Sequence, residues 1–302
     1  MRSIHFGGYK IDMSKTNARI LLIAVFIARG TSFLFSKMLM LSLPPMSILA
    51  VRFLLAFLIL ALIFRGKLLH CDGRSLRGGL ILGALYTLCM IFEMYGLRLI
   101  DSGVCALIEN MAIVLVPVFA AILSRSLPRG KTMLCALLAV AGVGFLSLTQ
   151  SGSRSGGLGI LLIVLAAINF AVCIMTTEKV SQDADPLAIG IVQLGTMGLL
   201  SLILSPFMGG FALPQTGRQW LMLMMLVLIC SCFGFAFQPV GQKYLAAEEA
   251  AVLTVVNPLT ASVMGILIAG ESVSFAKIVG YVLILTALVL YNVNPRRGAA
   301  GG

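Results

Sequence analysis

Five ionisable side chains lie inside long apolar stretches of this 302-residue sequence. They are Arg29, Lys37, Arg52, Glu93 and Glu109, all in the first half of the chain. Arginine binds carboxylates and phosphates, whereas a buried glutamate can hold a cation or carry a proton. Buried charges otherwise pair with one another and lock helices together. The sequence therefore predicts either a polar binding site or a set of buried ion pairs.

The composition indicates which elements must position these side chains. The chain is 60% hydrophobic and 11% charged, with a mean hydropathy of +1.06. Soluble domains carry about 25% charged residues, so this composition predicts a polytopic membrane protein in a lipid bilayer. A charge at the bilayer centre costs ~2.5–3.5 kcal/mol on insertion scales. We therefore expect each buried charge to face a cavity or a partner.

About ten apolar spans can be drawn, each of about 20 residues, as crossing the bilayer requires. Arg29 then lies ~18 Å along its helix, near the midplane, while Lys37 lies near an outer end and could reach the interface. Glycines at 79 and 83 fit the small-xxx-small pattern of close helix contacts. The spans cover residues 17–41, 44–64, 76–99, 103–123, 131–149, 157–178, 186–206, 218–241, 246–270 and 275–292.

The second half of the chain repeats the first. Residues 96–140 align with residues 241–285 at a constant offset of 145. We therefore assign residues 1–150 to a first five-helix repeat and residues 151–302 to a second, joined by the linker-like tract 151–157. Five spans per repeat would insert the second repeat upside down, which predicts an inverted repeat around a central cavity. Pro117 and Pro258 fall inside spans and predict helix breaks or passive kinks.

The distribution of Lys and Arg predicts the orientation. Fifteen of these residues fall at one end of the spans, and only Arg98, Arg154, Arg218 and Lys277 at the other. Cytoplasmic loops are rich in Lys and Arg, so both termini are expected in the cytoplasm. This bias accounts for the net charge of +11 without a nucleic-acid partner. The first twelve residues lack the apolar core of a cleavable signal and predict a short tail, and translation could also start at Met13.

Four stretches carry a family resemblance: RGTSFLFSKMLM at 29–40, PPMSILAVRFLLAFLIL at 44–60, DPLAIGIVQLGTMGLL at 185–200, and QKYLAAEEAAVLTVVNPLTASVMGILIAGESVS at 242–274. The chain resembles the EamA-type branch of the drug/metabolite transporter (DMT) superfamily along nearly its whole length. Arg29 stands where that family usually has Trp. The first half also lacks the counterparts of Pro258 and of Gly270-Glu271.

The resemblance implies ten helices around a central cavity that carries metabolites, amino acids or drug-like molecules, often outward. We expect a secondary transporter, an exporter in the cytoplasmic (inner) membrane that works by alternating access and could be coupled to protons. An uncoupled facilitator, a multidrug exporter and a non-transporting receptor or scaffold are the alternatives. An enzyme is not expected, because the spans contain no HExxH, no Gly-x-Gly-Asp and no paired Asp. No Walker A sequence, metal motif or disulfide framework is present, and no cofactor is expected.

The repeat also predicts which residues face the charges. At the offset of 145, Glu93 corresponds to Gln238 and Glu109 to Thr254. We expect a mixed-sign cavity suited to a zwitterion or an anionic metabolite, with Glu93 or Glu109 as candidate proton carriers. In the two leading spans the offset is 141, so Arg29 corresponds to Phe170 and Arg52 to Gln193. The polar end of the cavity is predicted to be Arg29, Arg52 and Glu109, facing Phe170, Gln193 and Gln238. Substrate, direction, coupling ion and oligomeric state stay open.

Overall fold

The computed structural model describes residues 3–6, 9–125, 154–182, 184–268, 270 and 274–292, with scattered positions between 130 and 145. A short antiparallel hairpin comes first, with strand β1 (Ser3–Phe6) paired to strand β2 (Tyr9–Asp12). This hairpin adds two strands to the all-α chain that the sequence predicts. Beyond it, the described elements are helices.

The helices are numbered in chain order. The first half contains α1 (Lys15–Leu39), α2 (Pro45–Ile63), α3 (Arg65–Leu69), α4 (Gly73–Leu97), α5 (Ser102–Glu109) and α6 (Ala112–Leu123). The second half contains α7 (Arg154–Ser181), α8 (Pro186–Leu204), a 3-10 turn (Ser205–Phe207), α9 (Gly217–Met225), a π-helical segment (Leu226–Phe235), α10 (Ala236–Gln242), α11 (Ala247–Leu253), α12 (Val256–Leu267) and α13 (Phe275–Asn292).

Eight helical segments among the described residues are long and apolar enough to cross a membrane. They correspond to predicted spans one to four and six to nine, which confirms a polytopic helical membrane protein. The predicted fifth span, 131–149, lies largely outside the described residues, as do linker residues 151–153 and Glu271. The predicted tenth span coincides with α13. The count of ten spans therefore stays a prediction.

Apolar side chains cover the outside of the bundle, and charged ones lie within it. Ile20, Leu62, Leu123 and Leu267 are each more than 60% exposed although they lie on membrane-length helices. Such a surface would aggregate in water and is the one that lipid tails solvate. The polar interior is therefore enclosed by a lipid-facing apolar shell.

Helix α4 of the first half packs closely on α8 of the second. A Cβ atom added at Gly79 would lie 3.0 Å from the carbonyl oxygen of Ile189, and one added at Gly83 would lie 3.0 Å from that of Gln193. The two backbones can approach this closely only because both positions are glycine. The predicted close helix contact at Gly79 and Gly83 is thus confirmed, and it joins the two halves.

Polar contacts also tie the two halves together at the end predicted to be cytoplasmic. Lys67 forms an ion pair with Asp185, the residue that caps the N-terminus of α8. The backbone N–H of Asp185 also donates to Oγ of Ser75, in the first turn of α4, at 3.0 Å. These two contacts hold α3 and the start of α4 against the start of α8.

The thiol of Cys71 gives a test of the predicted orientation. It lies in the loop before α4, whereas the other six cysteines are buried. Burial and the nearby carboxylates of Asp72 and Asp185 raise the pKa of the Cys71 thiol, so its reaction with maleimide should accelerate as the pH rises. A membrane-impermeant maleimide should label Cys71 in inverted vesicles but not in intact cells, with Cys71→Ser as the unlabelled control. Labelling of Cys71 in intact cells would contradict the orientation.

Candidate functional site

Four of the five ionisable side chains in the spans are buried in the interior of the bundle. They are Arg29, Arg52, Glu93 and Glu109, each at most 3% exposed. The fifth, Lys37, lies near the C-terminal end of α1, where its Nζ atom donates to the carbonyl oxygen of Ile100 at 3.1 Å and lies 3.7 Å from a carboxylate oxygen of Asp101. Lys37 thus lies at the end of its span and belongs to a separate group.

The guanidinium of Arg29 is enclosed by aromatic rings. Its Cζ atom lies 4.2 Å from the ring centroid of Phe235, 4.9 Å from that of Phe170 and 5.7 Å from that of Tyr86. Its Nη1 atom donates to Oε1 of Gln238 at 2.6 Å. Aromatic faces carry partial negative charge, so the three rings and the amide oxygen stabilise the cation without a carboxylate.

The guanidinium of Arg52 also approaches the ring of Phe235. Its Cζ atom is 5.6 Å from the centroid of Phe235 and 4.9 Å from that of Phe53. Its Nε atom donates to Oγ of Ser231 at 2.7 Å. Its Nη2 atom is buried and has no hydrogen-bond partner among the described residues. One donor of Arg52 is therefore left for a ligand.

The two buried glutamates lie close to the arginines but do not pair with them. Glu93 is within electrostatic reach of both arginines, and Glu109 of Arg29. Among the described residues, however, no arginine nitrogen lies within 4.0 Å of either carboxylate. Neither carboxylate oxygen of Glu109 accepts a hydrogen bond from an N–H or O–H donor of the other described residues, but its carboxyl group lies within side-chain hydrogen-bond reach of that of Glu93. The sequence left open the alternative that these four residues form buried ion pairs with one another. In the structure they form no arginine–glutamate ion pair.

The π-helical segment positions much of this site. It supplies Ser231 to Arg52 and Phe235 to both guanidiniums. A Cβ atom at Gly234 would lie 2.9 Å from Cγ of Arg29, so only glycine lets the arginine stem pass there. A π-helix widens the turn and alters which side chains face inward, and such segments are frequent at functional sites.

The structure brings some of the predicted partners together. Phe170 contacts the guanidinium of Arg29 through its ring, and Gln238 accepts a hydrogen bond from it. Gln193 is 1% exposed, but its Nε2 atom lies 4.0 Å from Sδ of Met197, and no described hydrogen bond joins it to either arginine. Gln193 therefore lies in the interior without a direct contact to the charged cluster.

Two spans are interrupted at nearly equivalent positions of the two repeats. The fourth span breaks between α5 and α6 at Asn110 and Met111, directly after Glu109. The ninth breaks between α11 and α12 at positions 254–255. Pro258 lies in the first turn of α12, where it cannot donate to the carbonyl of residue 254. Pro117, in contrast, lies inside continuous helix α6, so the break in that span precedes it.

Sequence reasoning missed Tyr86, Ser231 and Phe235. Tyr and Phe inside an apolar span resemble ordinary packing residues, and the π-helix has no sequence signature that separates it from an α-helix. The small residues Cys230, Ser231, Cys232 and Gly234 were the one signal in this span, since small residues allow a long side chain to approach.

The fold and the buried polar site are those of a multi-pass membrane protein built around an interior cluster of charges. The profile of the EamA-like transporter family matches residues 16–148 and 157–293. The chain therefore belongs to the EamA-like transporter family, a branch of the DMT superfamily. As a member of that family it is a transmembrane transporter. The two matched segments correspond to the two repeats.

Similar proteins agree with this assignment. The chain is 26% identical over 302 residues to "Uncharacterized transporter YcxC" of Bacillus subtilis (strain 168), covering 94% of this chain and 95% of that protein. It is 24% identical over 177 residues to "Uncharacterized transporter YwfM" of the same organism, where the match spans 57% of that protein. A solved crystal structure aligns with a TM-score of 0.69 at 18% identity, covering 94% of this chain and 100% of the other, which shows the fold alone.

The hydrogen bond between Ser231 and Arg52 predicts a specific loss of stability. Ser231→Ala removes the partner of the Arg52 Nε atom, and hydrogen bonds to charged groups contribute ~1.5–3 kcal/mol. The purified variant should therefore melt at a lower temperature than the wild type in the same detergent.

Ser201→Ala is the matched control for this measurement. Ser201 is also 1% exposed or less, but its hydroxyl has no partner among the described residues. Its replacement should leave the melting temperature unchanged or raise it. Equal destabilisation by both substitutions would contradict the role assigned to Ser231.

Proposed function

We propose that this protein is a secondary transporter that exports small zwitterionic or anionic solutes, such as amino acids or related metabolites, across the cytoplasmic membrane. One observation carries the proposal. The Nη2 atom of Arg52 is buried without a hydrogen-bond partner among the described residues, and Glu109 has only the carboxyl group of Glu93 within hydrogen-bond reach, although these groups belong to one cluster of opposite charges.

The cost of burying these groups supports a ligand that carries both charges. Burying an ionised group without a direct partner costs much free energy. An opposite charge that lies nearby without direct contact does not offset this cost. A zwitterion would supply a carboxylate to Arg52 and an ammonium to Glu109. A simple cationic drug would pair with Glu109 alone and would face two guanidiniums, so a multidrug exporter is the weaker alternative.

We take the transport cycle to be alternating access between two inverted five-helix repeats. The interruptions at 110–111 and at 254–255 support this proposal, because they are 144 residues apart (254 − 110), within one residue of the repeat offset of 145. Broken helices near the midplane are typical of binding sites between inverted repeats. The Lys- and Arg-rich loop that contains Lys67 supports cytoplasmic termini.

The buried carboxyl groups of Glu93 and Glu109 support coupling to protons. They neighbour each other in the interior, and two carboxylates in such proximity cannot both stay ionised without cost. A proton held between them could enter from one side of the membrane and leave to the other as the cavity alternates. Outward movement of the solute would then be driven by inward movement of the proton.

Binding of a zwitterion is tested with Arg52→Gln. The variant should fold, because glutamine can still bond to Ser231, but it should bind an amino acid identified by thermal-shift screening at least ~tenfold more weakly, a loss of ~1.4 kcal/mol. Isothermal titration of the purified protein measures this change, and counterflow in liposomes measures transport.

The double variant Arg52→Gln/Glu109→Gln separates binding from structure. If Arg52→Gln misfolds and the double variant regains both folding and transport, the charges form a structural lock and the proposed site is wrong. If the double variant folds but stays inactive, the two charges act on the ligand.

Proton coupling is tested by Glu93→Gln and Glu109→Gln, each measured in liposomes with and without a pH gradient. One of these variants should lose transport driven by the gradient while it retains substrate exchange, since a glutamine cannot release a proton. If both variants keep full gradient-driven transport, protons do not pass through these residues, and an uncoupled facilitator becomes the better interpretation.

A further inference from the structure

Three aromatic rings form a cage in the interior of the bundle. This aromatic cage consists of Tyr86 on α4, Phe170 on α7 and Phe235 in the π-helical segment, each at most 1% exposed. Tyr86 meets Phe235 edge to face at a centroid distance of 5.5 Å and meets Phe170 at 6.4 Å. The rings therefore support one another and surround a single volume.

The present occupant of the aromatic cage is a cation supplied by the protein itself. The guanidinium of Arg29 has its Cζ atom 4.2–5.7 Å from the three centroids. Aromatic cages of this kind recognise guanidinium and ammonium groups, and the attraction is stronger when the cation is desolvated.

The cage keeps its shape independently of Arg29. The Nε2 atom of Gln238 donates to the hydroxyl of Tyr86 at 2.8 Å and to Oε1 of Gln242 at 3.0 Å. These two bonds fix the amide so that its Oε1 atom points at the guanidinium, which it meets at 2.6 Å. Removing the arginine would therefore leave an oriented acceptor and three rings around a vacated volume.

We propose that Arg29 is a specificity-determining residue, whose tethered guanidinium occupies the cage and thereby excludes small organic cations from it. A side chain held beside its site competes at a high effective concentration, so a free cation cannot displace it at ordinary concentrations. The cavity then presents two guanidiniums, and an entering solute must offer them a negative group. The consequence of this role for transport rests on the proposed function. The ability of the cage to bind a cation does not.

The test is binding of methylguanidinium to purified Arg29→Ala. Millimolar methylguanidinium chloride should raise the melting temperature of Arg29→Ala saturably, compared with equal sodium chloride, and should not raise that of the wild type. Arg29→Trp is the matched control, because an indole refills the cage without a charge and should abolish the response. The added substitution Phe235→Leu removes the nearest ring and should weaken binding by ~tenfold.

Three results would overturn the proposal. The first is an equal response of Arg29→Ala and the wild type, and the second is an undiminished response after Phe235→Leu. The third applies if Arg29→Ala does not fold, in which case Arg29→Gln is tested in its place. If methylguanidinium added during purification stabilises neither variant, Arg29 only supports the fold.

A transport measurement separates this proposal from the proposed function. In liposomes, Arg29→Ala should take up methylguanidinium by counterflow, and the wild type should not. If methylguanidinium binds Arg29→Ala but neither protein transports any solute, the cage assignment holds and the proposed function fails. If the wild type transports an amino acid but Arg29→Ala does not respond to methylguanidinium, the proposed function holds and the role of Arg29 fails.

Discussion

The burial of two guanidiniums beside one phenylalanine ring constrains the rest of the structure. Arg29 and Arg52 both approach Phe235, at 4.2 and 5.6 Å from its centroid. Two like charges this deep in an apolar bundle need compensation. The protein provides rings, a glutamine amide and a serine hydroxyl as direct contacts and places the two glutamates nearby without an ion pair to either arginine. This arrangement stabilises the cations and leaves the Nη2 atom of Arg52 without a hydrogen-bond partner among the described residues.

The helices deliver these groups from both halves of the chain. Helices α1 and α2 supply the arginines, while the π-helical segment and α10 of the second half supply Ser231, Phe235 and Gln238. The close contact between α4 and α8 brings the halves together. Because the site spans the boundary between the repeats, a relative movement of the two halves would change the site directly. That relation is what alternating access requires.

Much of this organisation was predictable from the sequence, and the reasons for the exceptions are physical. Length and hydropathy predict the spans, and the repeat offsets of 141 and 145 predict that Phe170 and Gln238 lie opposite the charges. Gln193, predicted by the same alignment, is buried but makes no described hydrogen bond to either arginine, and its place in a binding site stays a prediction. The segment around Phe235 was unpredictable, since a π-helix depends on tertiary packing rather than on residue type. Pairing of the charges was undecidable, because sequence spacing does not determine distances between side chains on different helices.

The central claim is that the buried cluster recognises both charges of one ligand. Isothermal titration of the wild type with a stabilising amino acid, its methyl ester and its N-acetyl derivative tests this claim most directly. The ester keeps only the positive charge, and the N-acetyl derivative keeps only the negative one. We expect the amino acid to bind at least ~tenfold more tightly than either derivative. Equal affinity for the amino acid and one derivative would show that the cluster does not recognise the missing charge, and would contradict the account.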